Sequence, residues 1–180
     1  TTLLNMAAGL VAHSGQGSLE IQGRSPVQGS HQVGYMLARD SLLPWKTALG
    51  NAMFGMDVRG VPKAESEQRA REMLTQVGLS GFENALPKAL SHGMRQRVAL
   101  ARTFAMGSPL LLMDEPFGAL DAQTKLQLED LLLDLCQQYQ QSVLFVTHDL
   151  SEAVAVSDRV VVMSSRPGKI VADVEIDLPR

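Results

Sequence analysis

Two adjacent carboxylates, Asp114 and Glu115, close an apolar run, Leu110-Leu111-Leu112-Met113, and are followed at once by Pro116. Such a run reads as a strand buried on both faces, and open α/β sheets bind ligands at the carboxyl edge where their strands end. There the first carboxylate could help hold Mg²⁺, and the second, one residue on, could polarise an attacking water. The plainer reading is a solvated strand end that happens to be acidic. A second group is Ser91-His92-Gly93-Met94-Arg95-Gln96-Arg97. Ser91 is a good N-cap, Gly93 lets a ligand approach the backbone, and the helix that follows directs free N–H groups and its positive dipole end at a phosphate. In isolation the same residues read as a capped basic helix with Arg95, Arg97 and Arg102 solvated. His148 follows another apolar run, Val143-Leu144-Phe145-Val146, on the strand expected beside that of Asp114. It could reach the same ligand, or be a hydrogen-bonded structural histidine. Asp121 puts one more carboxylate just after the pair, and doubles as an N-cap for a helix starting at Ala122.

The elements that must position these residues follow from periodicity. Residues 1–10 read as a short helix ending near Gly9, residues 18–22 as a strand, and residues 33–37 as a second strand. From Lys46 to about Gly107 the pattern is helical; within it Ala70, Met73, Leu74 and Val77 recur at helical spacing, while Gly78, Gly81, Pro87 and Gly93 divide it. Residues 109–113 form the strand of the acidic pair. Residues 122–139 form a long amphipathic helix with Leu128, Leu131, Leu132, Leu135, Cys136 and Tyr139 on one face. A strand at 142–146, a helix at 150–156 and a strand at 158–163 complete a βαβαβ alternation, which implies a mainly parallel sheet with helices on both faces.

Composition narrows the class. The chain has 180 residues, 45% of them hydrophobic and 19% charged, with a net charge of -3. That balance suits a globular fold and argues against a protein that binds polyanions with its whole surface. Its apolar runs are too short to cross a bilayer. One cysteine, Cys136, excludes an internal disulfide framework, and its helix face predicts a core position. The opening Thr1-Thr2-Leu3-Leu4-Asn5 carries no initiator Met or targeting segment, and we expect it to be a truncation point.

Taken in order, Leu-Ser-His-Gly-Met-Arg-Gln-Arg at 90–97, the apolar strand with Asp114-Glu115-Pro116, Ala119-Leu120-Asp121 and Thr147-His148-Asp149 resemble the ATP-binding-cassette (ABC) ATPase family. The resemblance implies a RecA-like P-loop core with an inserted helical subdomain: residues 1–45 and 108–180 as the two parts of the core, and residues 46–107 as the insert with the signature motif. It implies ATP and Mg²⁺ as cofactors. Ser91 and Gly93 would cap the γ-phosphate held by a second subunit, Asp114 would belong to the metal site, Glu115 would be the general base, His148 the switch histidine, and Asp121 a contact across a head-to-tail dimer. Thr1 and Thr2 resemble the residues after Gly-Lys in the phosphate-binding loop, with Thr1 a Mg²⁺ ligand. Without that lysine, the 180 residues by themselves would be inactive. Ala38 stands where the family usually has a glutamine, and His92 where a signature glycine is usual. Leu42-Leu43-Pro44-Trp45 and Ser165-Arg166-Pro167-Gly168-Lys169-Ile170 resemble bacterial nitrate, sulfonate and taurine importer ATPases. The implied partners are integral membrane permease subunits and, indirectly, a substrate-binding protein, at the cytoplasmic face of the inner membrane and without nucleic acid. The rival reading is a soluble, non-transport ABC ATPase.

Overall fold

A computed structural model describes residues 1–12, 17–37, 40–166 and 168–178. Three parallel strands, β1 (Val33–Met36), β2 (Leu110–Asp114) and β3 (Ser142–Val146), form a sheet with β2 in the middle. Tyr35 is in register with Leu112, and Leu112 with Leu144. Side chains alternate across a strand, and the sheet uses both sets. Leu112 packs with Leu4, Ala7 and Ile21 under α1 (Thr2–Ala7), joined by Leu110, Val33, Tyr35 and Val146. Leu111 and Met113 face the other way, into the main core.

That core is built largely by helices α2 (Ala48–Val58), α3 (Lys63–Gln76), α4 (His92–Ala105) and α5 (Ala122–Tyr139). The residues picked out by helical spacing are inside: Ala70, Met73, Leu74 and Val77 on the α3 segment, and Leu128, Leu132 and Leu135 on α5. Burying each such leucine contributes about 1.5–3 kcal/mol. Leu131 and Cys136 pack against this core, and burial pushes the Cys136 thiol up to about 11. Helix α6 (Leu150–Val156) follows β3, and β4 (Arg159–Met163) and β5 (Ile170–Glu175) follow α6.

Two expectations are corrected. The apolar strand at 158–163 does not join the parallel sheet: as β4 it pairs antiparallel with β5, an unforeseen strand, in a sheet of its own. The cause is local. A turn closed by Ser164 and Lys169 returns the chain at once, and Arg159 binds the Asp173 carboxylate across the pair, so β4 finds its partner a few residues away. Residues 18–22 form no strand either. Ile21 bridges to Arg24 around Gln22 (φ 51) and Gly23 (φ 73), a two-residue reversal that leaves no length for one.

Asn51, a polar residue inside α2, is fully buried. Its amide accepts from the Leu43 N–H at 2.7 Å and donates to the carbonyls of Leu43, Lys46 and Thr47 at 3.0–3.1 Å, so it holds the loop that leads into α2. We predict that Asn51→Ala, by leaving these groups without a partner, lowers stability by about 2–3 kcal/mol. Urea unfolding checks this through a lower midpoint with an unchanged slope.

Candidate functional site

Strand parity decides where the acidic pair goes. Asp114 shares its face of β2 with Leu110 and Leu112, the face covered by α1. There its Oδ2 accepts a 2.7 Å hydrogen bond from the Thr1 hydroxyl, and the carboxylate is buried. Continued extension would send Glu115 to the opposite face. Instead Glu115 takes φ 47, a left-handed conformation that costs a non-glycine residue roughly 1–3 kcal/mol and persists only when its surroundings enforce it. Those surroundings are a 2.8 Å bond from its N–H to the Val146 carbonyl and a 3.3 Å bond from the Gly118 N–H to its own carbonyl. The Glu115 side chain, 44% exposed, places Oε2 at 3.1 Å from Nδ1 of His148.

His148 comes from the loop between β3 and α6. Asp149 caps α6 by accepting from the N–H groups of Ser151 (2.9 Å) and Glu152 (3.3 Å), and Thr147 Oγ1 donates to the buried Glu152 carboxylate. Lys125 of α5 donates to Asp149 at 2.6 Å. Burial by itself would lower the Lys125 ammonium, but the bond to Asp149 and the charges of Glu152, Asp149 and Glu129 raise it above its ordinary value. The same bond, with the α6 N–H groups, holds Asp149 below the usual carboxylate range.

The remaining predicted residues form a separate group. Ser91 caps α4, its Oγ accepting from the Met94 N–H at 3.2 Å. Asp121 caps α5, accepting from the Thr124 N–H at 3.0 Å. The two caps meet at Thr124, because a Cβ on Gly93 would lie 2.8 Å from Thr124 Cγ2. Among the described residues, no hydrogen bond or ion pair joins Ser91 or Gly93 to Thr1, Asp114, Glu115 or His148. Thr2 opens α1 with an exposed side chain. Ala38 lies outside the described residues.

Three positions were missed from the sequence. Buried Gln96 donates from Nε2 to the Pro116 carbonyl and so ties α4 to the turn after Glu115. Tyr35 donates to Asn5 at 3.0 Å, with its phenol raised by burial and by the Asp114 charge. Lys125 is the third. Gln96 lies within the 90–97 motif, which does not show its partner; Tyr35 and Lys125 carry no sequence signal, because each acts through a contact across the fold.

A family model described as ABC transporter matches residues 1–118. The chain belongs to the ABC transporter ATPase family. Among its relatives, the uncharacterized ABC transporter ATP-binding protein YtlC of Bacillus subtilis is 47% identical over 170 residues, 94% of this chain and 65% of YtlC. The taurine import ATP-binding protein TauB of Pseudomonas putida is 46% identical over 178 residues, 98% of this chain and 67% of TauB. This ABC chain thus spans about two thirds of the length of these relatives. A solved dimer of the ATP-binding cassette MJ0796, in a post-hydrolysis state bound to ADP and Pi, superimposes with a TM-score of 0.80 at 27% identity, covering 97% of this chain and 79% of the other. Among the described residues, no helix is long and apolar enough to cross a membrane.

The meeting of the two caps yields a test. Gly93→Ala should overpack α4 against α5 and destabilise by about 1–3 kcal/mol. Thr124→Ser, which removes the opposing methyl, should restore most of that loss, as read by thermal unfolding of the single and double variants.

Proposed function

We propose that this protein binds and hydrolyses ATP to ADP and phosphate, as the energising subunit of a bacterial importer for a small anion such as nitrate, a sulfonate or taurine. The observation that carries the reading is the Glu115–His148 pair at 3.1 Å, adjoining the Thr1–Asp114 pair at 2.7 Å, at the carboxyl edge of a parallel sheet. In this reading Glu115, 44% exposed at the edge of the sheet, orients and deprotonates the attacking water. His148, turned towards Glu115, donates to the oxygens that gain charge in the transition state. Thr2 adds a backbone N–H to the phosphate site.

The donor set fits Mg²⁺. A hydroxyl and one carboxylate suit a small hard cation that keeps several waters and takes its remaining ligands from substrate phosphates. Thr1 and Asp114 would hold it, and its charge would neutralise the phosphates. Ser91, Gly93 and Asp121, apart from this group within the chain, serve the site of a second copy in a head-to-tail dimer; the dimeric assembly of the structurally similar cassette supports this assignment. We also propose residues 46–107 as a helical unit inserted between two parts of the core, 1–45 and 108–180.

Attachment to integral permease subunits, at the cytoplasmic face of the inner membrane, accounts for an apolar groove of about 450 Å³ beside β1 and α2. Leu37, Phe54 and Val58 line it. Trp45, 73% exposed, is not the packed indole of an ordinary loop and extends the apolar surface available to a partner. The similarity to TauB supports the anion class, with a substrate-binding protein delivering the solute.

Glu115→Gln keeps the shape of the side chain and removes its basicity. In the full-length protein it should retain ATP binding, lower turnover by at least about 10²-fold and accumulate an ATP-dependent dimer on size-exclusion chromatography. Normal phosphate release by this variant would remove Glu115 from the role of base.

A further inference from the structure

We propose that Lys125 is a positioning residue for His148: it clamps the loop that carries the imidazole to helix α5 and thereby holds Nδ1 at Glu115. This rests on the reading of Glu115 and His148 given above.

The clamp is visible on both sides of the histidine. Lys125 Nζ lies 2.6 Å from Asp149 Oδ2, 3.5 Å from Glu152 Oε1 and 4.0 Å from Glu129 Oε1. Asp149 directly follows His148, and Glu152 receives the hydroxyl bond of Thr147, which directly precedes it. The Asp149 N–H closes the loop on Thr147 Oγ1 at 3.0 Å. The side-chain contacts of the residues flanking His148, Thr147 and Asp149, therefore lead to the Glu152 carboxylate facing the Lys125 ammonium, to that ammonium itself, or to the N–H groups capped at the start of α6.

His148 has little else to hold it. Its side chain is 74% exposed, and its contact to Glu115 joins two accessible groups. Next to the loop lies a cavity of about 260 Å³ lined by Phe117, Lys125, Thr147, His148, Asp149 and Glu152, so close packing does not fix the loop from that side. Placement of the imidazole then depends on the backbone, and the backbone depends on the clamp.

Burial sets the strength of this dependence. Glu152 and Glu129 are 2% and 5% exposed, and Glu152 Oε1 has no hydrogen-bond partner, with the Lys125 ammonium as its nearest compensation. Without that ammonium, the three carboxylates gathered around Lys125 would be left uncompensated, two of them buried, and repulsion would drive the Asp149–Glu152 segment outward. Lys125 also stands one turn after Asp121, with its N–H on the Asp121 carbonyl at 2.9 Å. The start of α5, where Gly93 meets Thr124, is thus joined to the histidine loop through the first turn of the helix and Lys125.

The experiment is a double-mutant cycle in the full-length protein. Lys125→Met should lower kcat roughly ten- to a hundredfold while leaving the KM for ATP unchanged, and Lys125→Arg should recover most of the rate. On a His148→Ala background, Lys125→Met should cause no further loss, because the group it positions is gone. Hydrogen exchange should accelerate across residues 147–153 in Lys125→Met. It should stay unchanged there in Arg159→Met, which breaks a surface ion pair instead. An undiminished kcat in Lys125→Met, or an equal loss with and without His148, overturns the proposal. Should Lys125→Met fail to fold, Asp149→Asn, which keeps the α6 cap and drops the ion pair, must give the same pattern. If the native protein shows no turnover at all, the reading of the site fails, and the exchange data still decide whether Lys125 holds the loop.

Discussion

The site depends on a change of backbone handedness at the end of the central strand. β2 is paired on both edges and covered on both faces, so Asp114 cannot shift without disturbing α1 on one side and the α4–α5 core on the other. At the next residue the left-handed turn of Glu115 breaks the alternation. Two carboxylates one residue apart would repel if they shared a pocket; here one is buried against a hydroxyl and the other is half exposed beside an imidazole. The strain is borne by hydrogen bonds to Val146 and Gly118, which are present before any ligand arrives.

The helices adjust this edge from two directions. α4 reaches it through the Gln96 amide on the Pro116 carbonyl, and α5 reaches it through Lys125 and the histidine loop. Arg95 and Arg102 fasten α4 to the segment after β1, Arg95 by a 2.8 Å ion pair to Asp40 and Arg102 by bonds to the carbonyls of Asp40 and Ser41. The arginines that read in isolation as a solvated basic face therefore pin a loop. A displacement of α4 is felt at β1, at the turn after Glu115 and, through Thr124, at the start of α5. In the proposed ATPase, such a connection would let the position of α4 bear on hydrolysis.

What was legible in the sequence had a local cause. The run 110–113 and the helix 122–139 declare themselves by apolar patterning, and the caps Ser91 and Asp121 by residue type; all four occur where patterning puts them. The partnership of Thr1 with Asp114, 113 positions away, came from resemblance alone, and the contact between them supports it. The partner of β4 was misjudged because an apolar strand pattern does not say which edge it meets, and a short turn favoured a hairpin. The roles of Asn51, Gln96 and Lys125 have no periodic signature, because the meaning of such a polar residue lies in the carbonyls and carboxylates that folding brings to it.

The division of labour between Asp114 and Glu115 can be measured directly. Mn²⁺, standing in for Mg²⁺, is titrated by electron paramagnetic resonance into the full-length protein saturated with ATP, and into its Asp114→Asn and Glu115→Gln variants. If the left-handed turn assigns the metal to Asp114 and the water to Glu115, Asp114→Asn weakens Mn²⁺ at least about tenfold, and Glu115→Gln leaves its affinity at the native value. Equal weakening by both substitutions would show that the carboxylates share the cation, and would contradict the account.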